Sequence, residues 1–214
     1  MEDKITQAYK EMVITGEEPI NSFTLCSKID ISEKEFFQHF SSTEDVGRRI
    51  WANLAEEVIQ GLNASEEVQE YTALNKILAY YFTFFEVALA ERSFIEKTFE
   101  EKTLLTAYRD KFKEFMGDLV QEGIAMEEIV ERLSLSSYYP EMLWQLHARL
   151  INFWLNDTSE HFVETEKAIE VYSKLPLELM QHNLFDSVFE TVKFGFEQSK
   201  PDGLNLDRFN IFRK

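Results

Sequence analysis

Apolar residues at Ile5, Ala8, Tyr9, Met12 and Val13 recur at intervals of three and four, the spacing of a helix over residues 3–15 that buries one stripe. Gly16 ends it. After Pro19, which can open a new segment, Phe23, Leu25, Cys26 and Ile29 supply the inward side of a short second helix. Asp30 and Ile31 form the connection to a third, where Ser32 and Glu35 stand at the spacing of a capping box and Phe36 and Phe40 share one face. This third helix should end near Phe40. Ser41 and Ser42, followed by Glu44 and Asp45, cap a fourth helix whose apolar positions Val46, Ile50, Trp51, Leu54, Val58 and Ile59 carry it to about Gly61.

Beyond Gly61 the pattern assigns helices to residues 66–91, 93–100, 103–122, 125–134, 139–156, 160–174 and 183–199, punctuated at Gly123, Pro140, Asp157, Pro176 and Asn183. With 7 Gly and 4 Pro in 214 residues, long stretches lack any breaker, which argues against many short strands. The expected fold is all-α with about nine to eleven helices, a three-helix head and connecting helix over residues 1–61 followed by a larger helical body over residues 62–214. The tail from Pro201, with Phe209, Ile211 and Phe212, carries no helical period and could dock on the body or fray.

Charge changes the picture. The net charge of -17 makes the surface as a whole a poor match for polyanions, and residues 1–60 carry six Lys or Arg against twelve Asp or Glu. The amphipathic start, MEDKITQAYK, lacks the apolar core of a secretory signal, and the most apolar window, residues 77–90, contains Thr83 and Glu86 and is too short for a membrane span. The single cysteine, Cys26, cannot form an intrachain disulfide and lies on an apolar helical stripe, as a packing residue in a reducing compartment would. A cytoplasmic location with no membrane partner is expected.

Residues 20–40 read as two short helices joined by a tight turn, and over residues 4–55 the chain resembles the tetracycline-repressor (TetR) family of transcriptional regulators. The resemblance is carried by Ile31, Ser32, Phe36, Phe37, His39, Phe40, Glu44 and Val46 at the family's spacing. It implies a helix-turn-helix DNA-binding domain in residues 1–61 and a ligand-binding and dimerisation domain in residues 62–214. By the same resemblance Ser32, Lys34, Phe37, Gln38, His39 and Thr43 would meet double-stranded operator DNA, with Phe36 and Phe40 in the core. Gln38 is the candidate base reader, because its amide can pair bidentately with adenine. The sequence departs from the family at Asp30, where glycine is common, at Phe37, where tyrosine is common, and at Thr43, where lysine is common. Glu33 and Glu35 also place carboxylates on the recognition helix, facing a polyanion.

Tyr80, Tyr81, Phe82, Phe84 and Phe85 crowd one body helix with rings nearly all round, so at least two of its faces must be buried. Tyr81, Phe84, Phe85, Phe112, Phe115 and Trp144 either wall an apolar cavity for a small-molecule effector or simply fill the core. Leu143, Leu146, Leu150 and Phe153 form one apolar seam, and Phe185, Val188, Phe189, Val192 and Phe196 another. In TetR proteins the last long helices pair across a two-fold axis, so the resemblance implies a homodimer through these seams.

None of the four histidines, His39, His147, His161 and His182, is preceded by a Glu three residues earlier, and no HExxH, P-loop or GxSxG pattern occurs. No catalytic residue, metal site or cofactor is expected. The sequence therefore reads as a ligand-responsive, DNA-binding repressor. Two alternatives stand beside it: a lipid- or small-molecule-binding protein of the same fold that has lost DNA binding, and an acidic protein-interaction module.

Overall fold

The computed structural model describes residues 1–132 and 135–181, and among these every regular element is helical. Helix α1 (Glu2–Thr15) buries Ile5, Ala8, Tyr9 and Met12 and stops at Gly16, whose φ of 70° turns the chain left-handed while its N–H returns to the last carbonyls of the helix. Helix α2 (Ser22–Ile29) opens on Asn21, not at Pro19, with Asn21 and Thr24 capping each other's backbone. Asp30 then adopts φ 55° and ψ 55°, the conformation in which glycine is cheapest.

Helix α3 (Glu33–Phe36) has the expected box, Ser32 accepting from the Glu35 N–H and Glu35 accepting from the Ser32 N–H, but it is one turn long. Phe37, Gln38 and His39 continue as turns, and Phe36 and Phe40 are buried as expected.

Helix α4 (Thr43–Ala64) begins on Ser42, whose side chain accepts from the Asp45 N–H. It runs past Gly61 because a single glycine costs a helix only about 1 kcal/mol while Leu62 continues its buried stripe. Its 22 residues span roughly 33 Å, from the recognition segment to the middle of the body. There it packs most extensively against α8 (Thr106–Ala125) and α6 (Ala73–Ala88).

The stretch expected as one helix over residues 66–91 is divided. A single turn, α5 (Glu66–Gln69), precedes α6, whose first N–H groups are taken by Thr72 and by the Glu128 carboxylate, 2.7 Å from the Ala73 nitrogen. Helix α7 (Arg92–Thr98) follows.

Residues 125–134, expected as a helix of their own, hold only the last residue of α8, Ala125, and otherwise no helix among those described. Helix α8 continues through Gly123 because a Cβ there would stand 2.6 Å from the Ile129 side chain, and glycine admits that contact. The chain then reverses at Glu127 (φ 59°), with the Glu128 N–H returning 2.8 Å to the Gly123 carbonyl.

Helix α9 (Tyr139–Asn156) matches expectation. Helix α10 (Val163–Gln181) does not stop at Pro176, because Leu177 and Met180 still pack inward and the Val130 N–H caps the Met180 carbonyl at 2.9 Å. Residues 183–199 and the tail from Pro201 lie outside the described residues.

Candidate nucleic-acid interface and effector site

On the recognition segment Lys34, Phe37 and Gln38 are exposed, Phe37 at 55%. The other three residues expected to meet DNA are engaged within the head. The Ser32 hydroxyl serves as the α3 cap and lies 2.8 Å from a Glu35 carboxylate oxygen. The His39 ring faces Glu2 at 3.6 Å, and Thr43 is the half-buried first residue of α4. Both recognition-helix carboxylates are also occupied. Glu33 accepts from the Ser22 hydroxyl at 2.7 Å. Glu35 is held below the ordinary carboxylate range, chiefly by the backbone hydrogen bond from Ser32.

Cations of the head are mostly drawn inward. Lys28 pairs with Glu17 at 2.7 Å and Glu11 at 3.5 Å, Arg48 pairs with Glu44 at 2.9 Å, and Lys4 donates to the Ile29 carbonyl. Lys10 reaches across to Glu91 beside α7 at 2.6 Å and so ties head to body. Among the described residues of the head, Lys34 and Arg49 are the cations without a carboxylate or carbonyl partner.

In the body, the rings that sequence put forward as a cavity wall converge on a residue it passed over. His147 of α9 is fully buried. Its imidazole stacks on Phe112 at 4.8 Å and Tyr81 at 5.6 Å, meets Phe84 edge-on at 4.5 Å, and has Phe85 at 6.4 Å and Trp144 at 6.0 Å. Phe115 stands further out, against Tyr80. Nε2 of His147 is hydrogen-bonded to the Tyr108 hydroxyl, which lies 3.5 Å from the Tyr80 hydroxyl, while Nδ1 has no partner among the described residues. Burial pushes the imidazole down to about 3 and raises the Tyr80 and Tyr108 phenols, so all three groups are neutral at pH 7. The signal for His147 was its position, four residues after Leu143 and three before Leu150, which puts an ionisable group on a buried stripe.

Leu143, Leu146 and Leu150 are buried inside the protomer, where α9 packs chiefly on α8 and α10, and do not lie open as a seam. The other expected seam, Phe185, Val188, Phe189, Val192 and Phe196, lies outside the described residues. Among the described residues an apolar surface lies open on the neighbouring face, where Met142, Leu146, Phe153, Val171, Tyr172 and Leu175 border a groove of about 810 Å³ between α9 and α10.

Residues 76–194 match the family described as tetracyclin repressor-like, C-terminal domain. The chain belongs to the TetR family. The match falls on the body, whereas the sequence resemblance was carried by the head, so the two are independent. Two solved structures share the TetR fold. One, from Shewanella sp. PV-4 and assigned to the TetR family of transcription regulators, aligns with a TM-score of 0.63 at 13% identity, covering 85% of this chain and 98% of its own. The other, from Syntrophomonas wolfei str. Goettingen and assigned to the same family, aligns at 0.64 with 14% identity, covering 83% and 93%. No curated protein matches the chain. TetR proteins in general are ligand-responsive, DNA-binding transcriptional regulators that form dimers, and they are generally not enzymes. Among the described residues, no helix is long and apolar enough to cross a membrane.

Proposed function

We propose that this chain is a cytoplasmic, homodimeric TetR repressor that reads operator DNA with the segment Ser32–Thr43 and is released when an apolar effector binds in the body. The observation that carries the reading is the recognition segment itself. It presents Lys34, Phe37 and Gln38 to solvent, while its two carboxylates are held by Ser22 and Ser32. Gln38 reads a base edge, Lys34 and Arg49 contact phosphates, and α4 carries displacement of the body to the head. In this reading residues 1–61 form the DNA-binding unit and residues 62–214 the effector and dimerisation unit. The partner protomer packs over the open face of α9 and α10, with Leu146 at its rim.

A mobility-shift assay on the gene's own upstream DNA tests this. Binding should weaken steeply between about 50 and 200 mM salt, and Lys34→Ala should lower the logarithmic salt slope by about 0.9 for each phosphate contact removed. Gln38→Ala should cost about 1–3 kcal/mol and relax sequence preference. If upstream DNA is bound no better than unrelated DNA at the lower salt, the second reading takes over. That reading, a TetR-fold small-molecule-binding protein that has lost DNA binding, is favoured by the inward pairing of Lys28, Arg48 and Lys10.

A further inference from the structure

We propose that His147 is the polar anchor of the effector site, and that the effector is a neutral, ring-bearing molecule whose hydrogen-bond acceptor, of the ketone type, is taken by His147 Nδ1. The proposal rests on the reading of the body as an effector-binding unit and names the class of molecule it takes.

Proton accounting in the cage fixes the polarity of the anchor. If Tyr80 donates to Tyr108, and Tyr108 donates to His147 Nε2, the neutral imidazole must carry its one proton on Nδ1. A phenol is the stronger donor and a bare imidazole nitrogen the stronger acceptor, so Tyr108 donates to Nε2 in preference to the reverse, and Nδ1–H is left as a buried donor that awaits an acceptor. The Tyr81 hydroxyl is turned to the Leu143 carbonyl, to which it donates at 3.2 Å.

The charge of the effector follows from what surrounds the imidazole. Tyr80, Tyr81, Phe84, Phe85, Phe112 and Trp144 are all uncharged, and the guanidinium over Trp144, that of Arg109, is held by Glu141 at 2.7 Å. A carboxylate would enter with no counter-charge and pay its desolvation in full, whereas a carbonyl accepts the same hydrogen bond without that penalty.

The proposal places the way in beside the cage. Phe85, which packs against the imidazole, also lines a groove of about 300 Å³ with Leu89, Trp154, Phe162 and Ile169 at its other walls. Entry by this route requires the Phe85 side chain to rotate, which would join groove to cage. The way out to the head runs through Tyr108, which holds His147 and packs edge-on against Trp51 of α4 at 5.4 Å. An effector that draws on the imidazole therefore acts on the helix that starts at the recognition segment.

Three probes of similar size separate the possibilities on the full chain: ethylbenzene, acetophenone and benzoate. Acetophenone should raise the Tm saturably, bind about tenfold more tightly than either of the others, and shift the His147 Nδ1–H proton resonance. In His147→Phe its advantage over ethylbenzene should vanish. Equal binding of ethylbenzene, preference for benzoate, survival of the preference in His147→Phe, or no binding of acetophenone overturns the proposal. The proton resonance is read on the unmodified protein, so the outcome does not depend on the variant folding. Binding is measured without DNA, so its failure leaves the operator reading standing, and a failed mobility shift leaves this result standing.

Discussion

Head and body of this chain are held together by different means. In the head, each short helix is closed by its own neighbours: Asn21 with Thr24, Ser32 with Glu35, Ser42 with the Asp45 N–H. In the body, α8 and α9 begin without any side-chain cap, and their placement comes from rings meeting across three helices around one neutral imidazole. Local closure lets head residues change one at a time at small cost, because each cap is worth about 1 kcal/mol and touches little else. Ring packing across helices couples its members, so a change at the centre of the body is felt wherever those helices go. Trp51 is where the two regimes meet, since it lies on α4, donates to Thr98 of α7 at 3.1 Å, and packs on Tyr108 of α8.

The largest expected effect is therefore at Trp51. Replacement by alanine removes a fully buried indole and orphans the Thr98 contact, and should lower stability by about 3–5 kcal/mol in urea denaturation. A loss under about 1 kcal/mol would mean that α4 is not the strut shared by head and body. The same measurement on Ser32→Ala gives the contrast from the head side, where a loss of about 1 kcal/mol is expected because an exposed cap is removed and no core contact is touched.

Acid titration sharpens the comparison from the body side. The His147 imidazole is about 3 when folded and 6.5 in an unfolded chain, so below pH 6.5 the unfolded state binds a proton that the folded state refuses. Its contribution to stability is complete above pH 6.5 and is lost as pH falls toward 3, at about 1.4 kcal/mol per pH unit. The carboxylates Glu141 and Asp157 act in a lower window. Glu141 is held near 2 by hydrogen bonds from Gln145, Arg109 and Lys113; at Asp157 burial opposes the shift, but hydrogen bonds from Thr165 and Ser159 outweigh it and hold that group near 2 as well. Their stabilisation is present above the ordinary carboxylate range and falls away only below it. Urea denaturation between pH 6.5 and 4.5 should thus show a wild-type loss of roughly 2 kcal/mol that is absent in His147→Phe. Parallel pH curves for the two proteins would remove the buried imidazole from the account of the body.

The same division explains what could be read in advance. The Ser32–Glu35 box, the Ser42 cap, the burial of Phe36 and Phe40 and the length of α9 all depend on residues within one or two turns of each other, and local spacing announces them. Pro19 can open a segment by its fixed φ, but the cap of α2 is supplied by Asn21. Residues 125–134 were read as helical because nothing local says that Gly123 is glycine for the sake of Ile129. The role of His147 was hidden for a similar reason. Its character comes from Tyr108, 39 residues away, and from the rings of α6, and no window along the chain contains them together. The pairing of Lys10 with Glu91, 81 residues apart, is hidden in the same way, because no window along the chain contains both.

The smallest expected effect tests the head where it departs most clearly from its relatives' common glycine. Asp30 is exposed, sits at φ 55°, and its side chain has no hydrogen-bond or ion-pair partner among the described residues. A left-handed conformation costs an ordinary residue about 1–2 kcal/mol, somewhat less for aspartate, while glycine gives back about 0.5–1 kcal/mol through its freer unfolded chain. Asp30→Gly should therefore stabilise the head by roughly 0.5 kcal/mol, read from the urea midpoint at unchanged slope. It also removes a carboxylate from the turn that leads into the recognition helix. If the head reads DNA, operator affinity should rise in the variant, and rise more at low salt than at high salt, because the gain is the loss of a screened repulsion. A stability gain with no change in DNA affinity at either salt would separate the two effects. It would leave the head of this chain as a folded helix-turn-helix whose turn does not face a duplex.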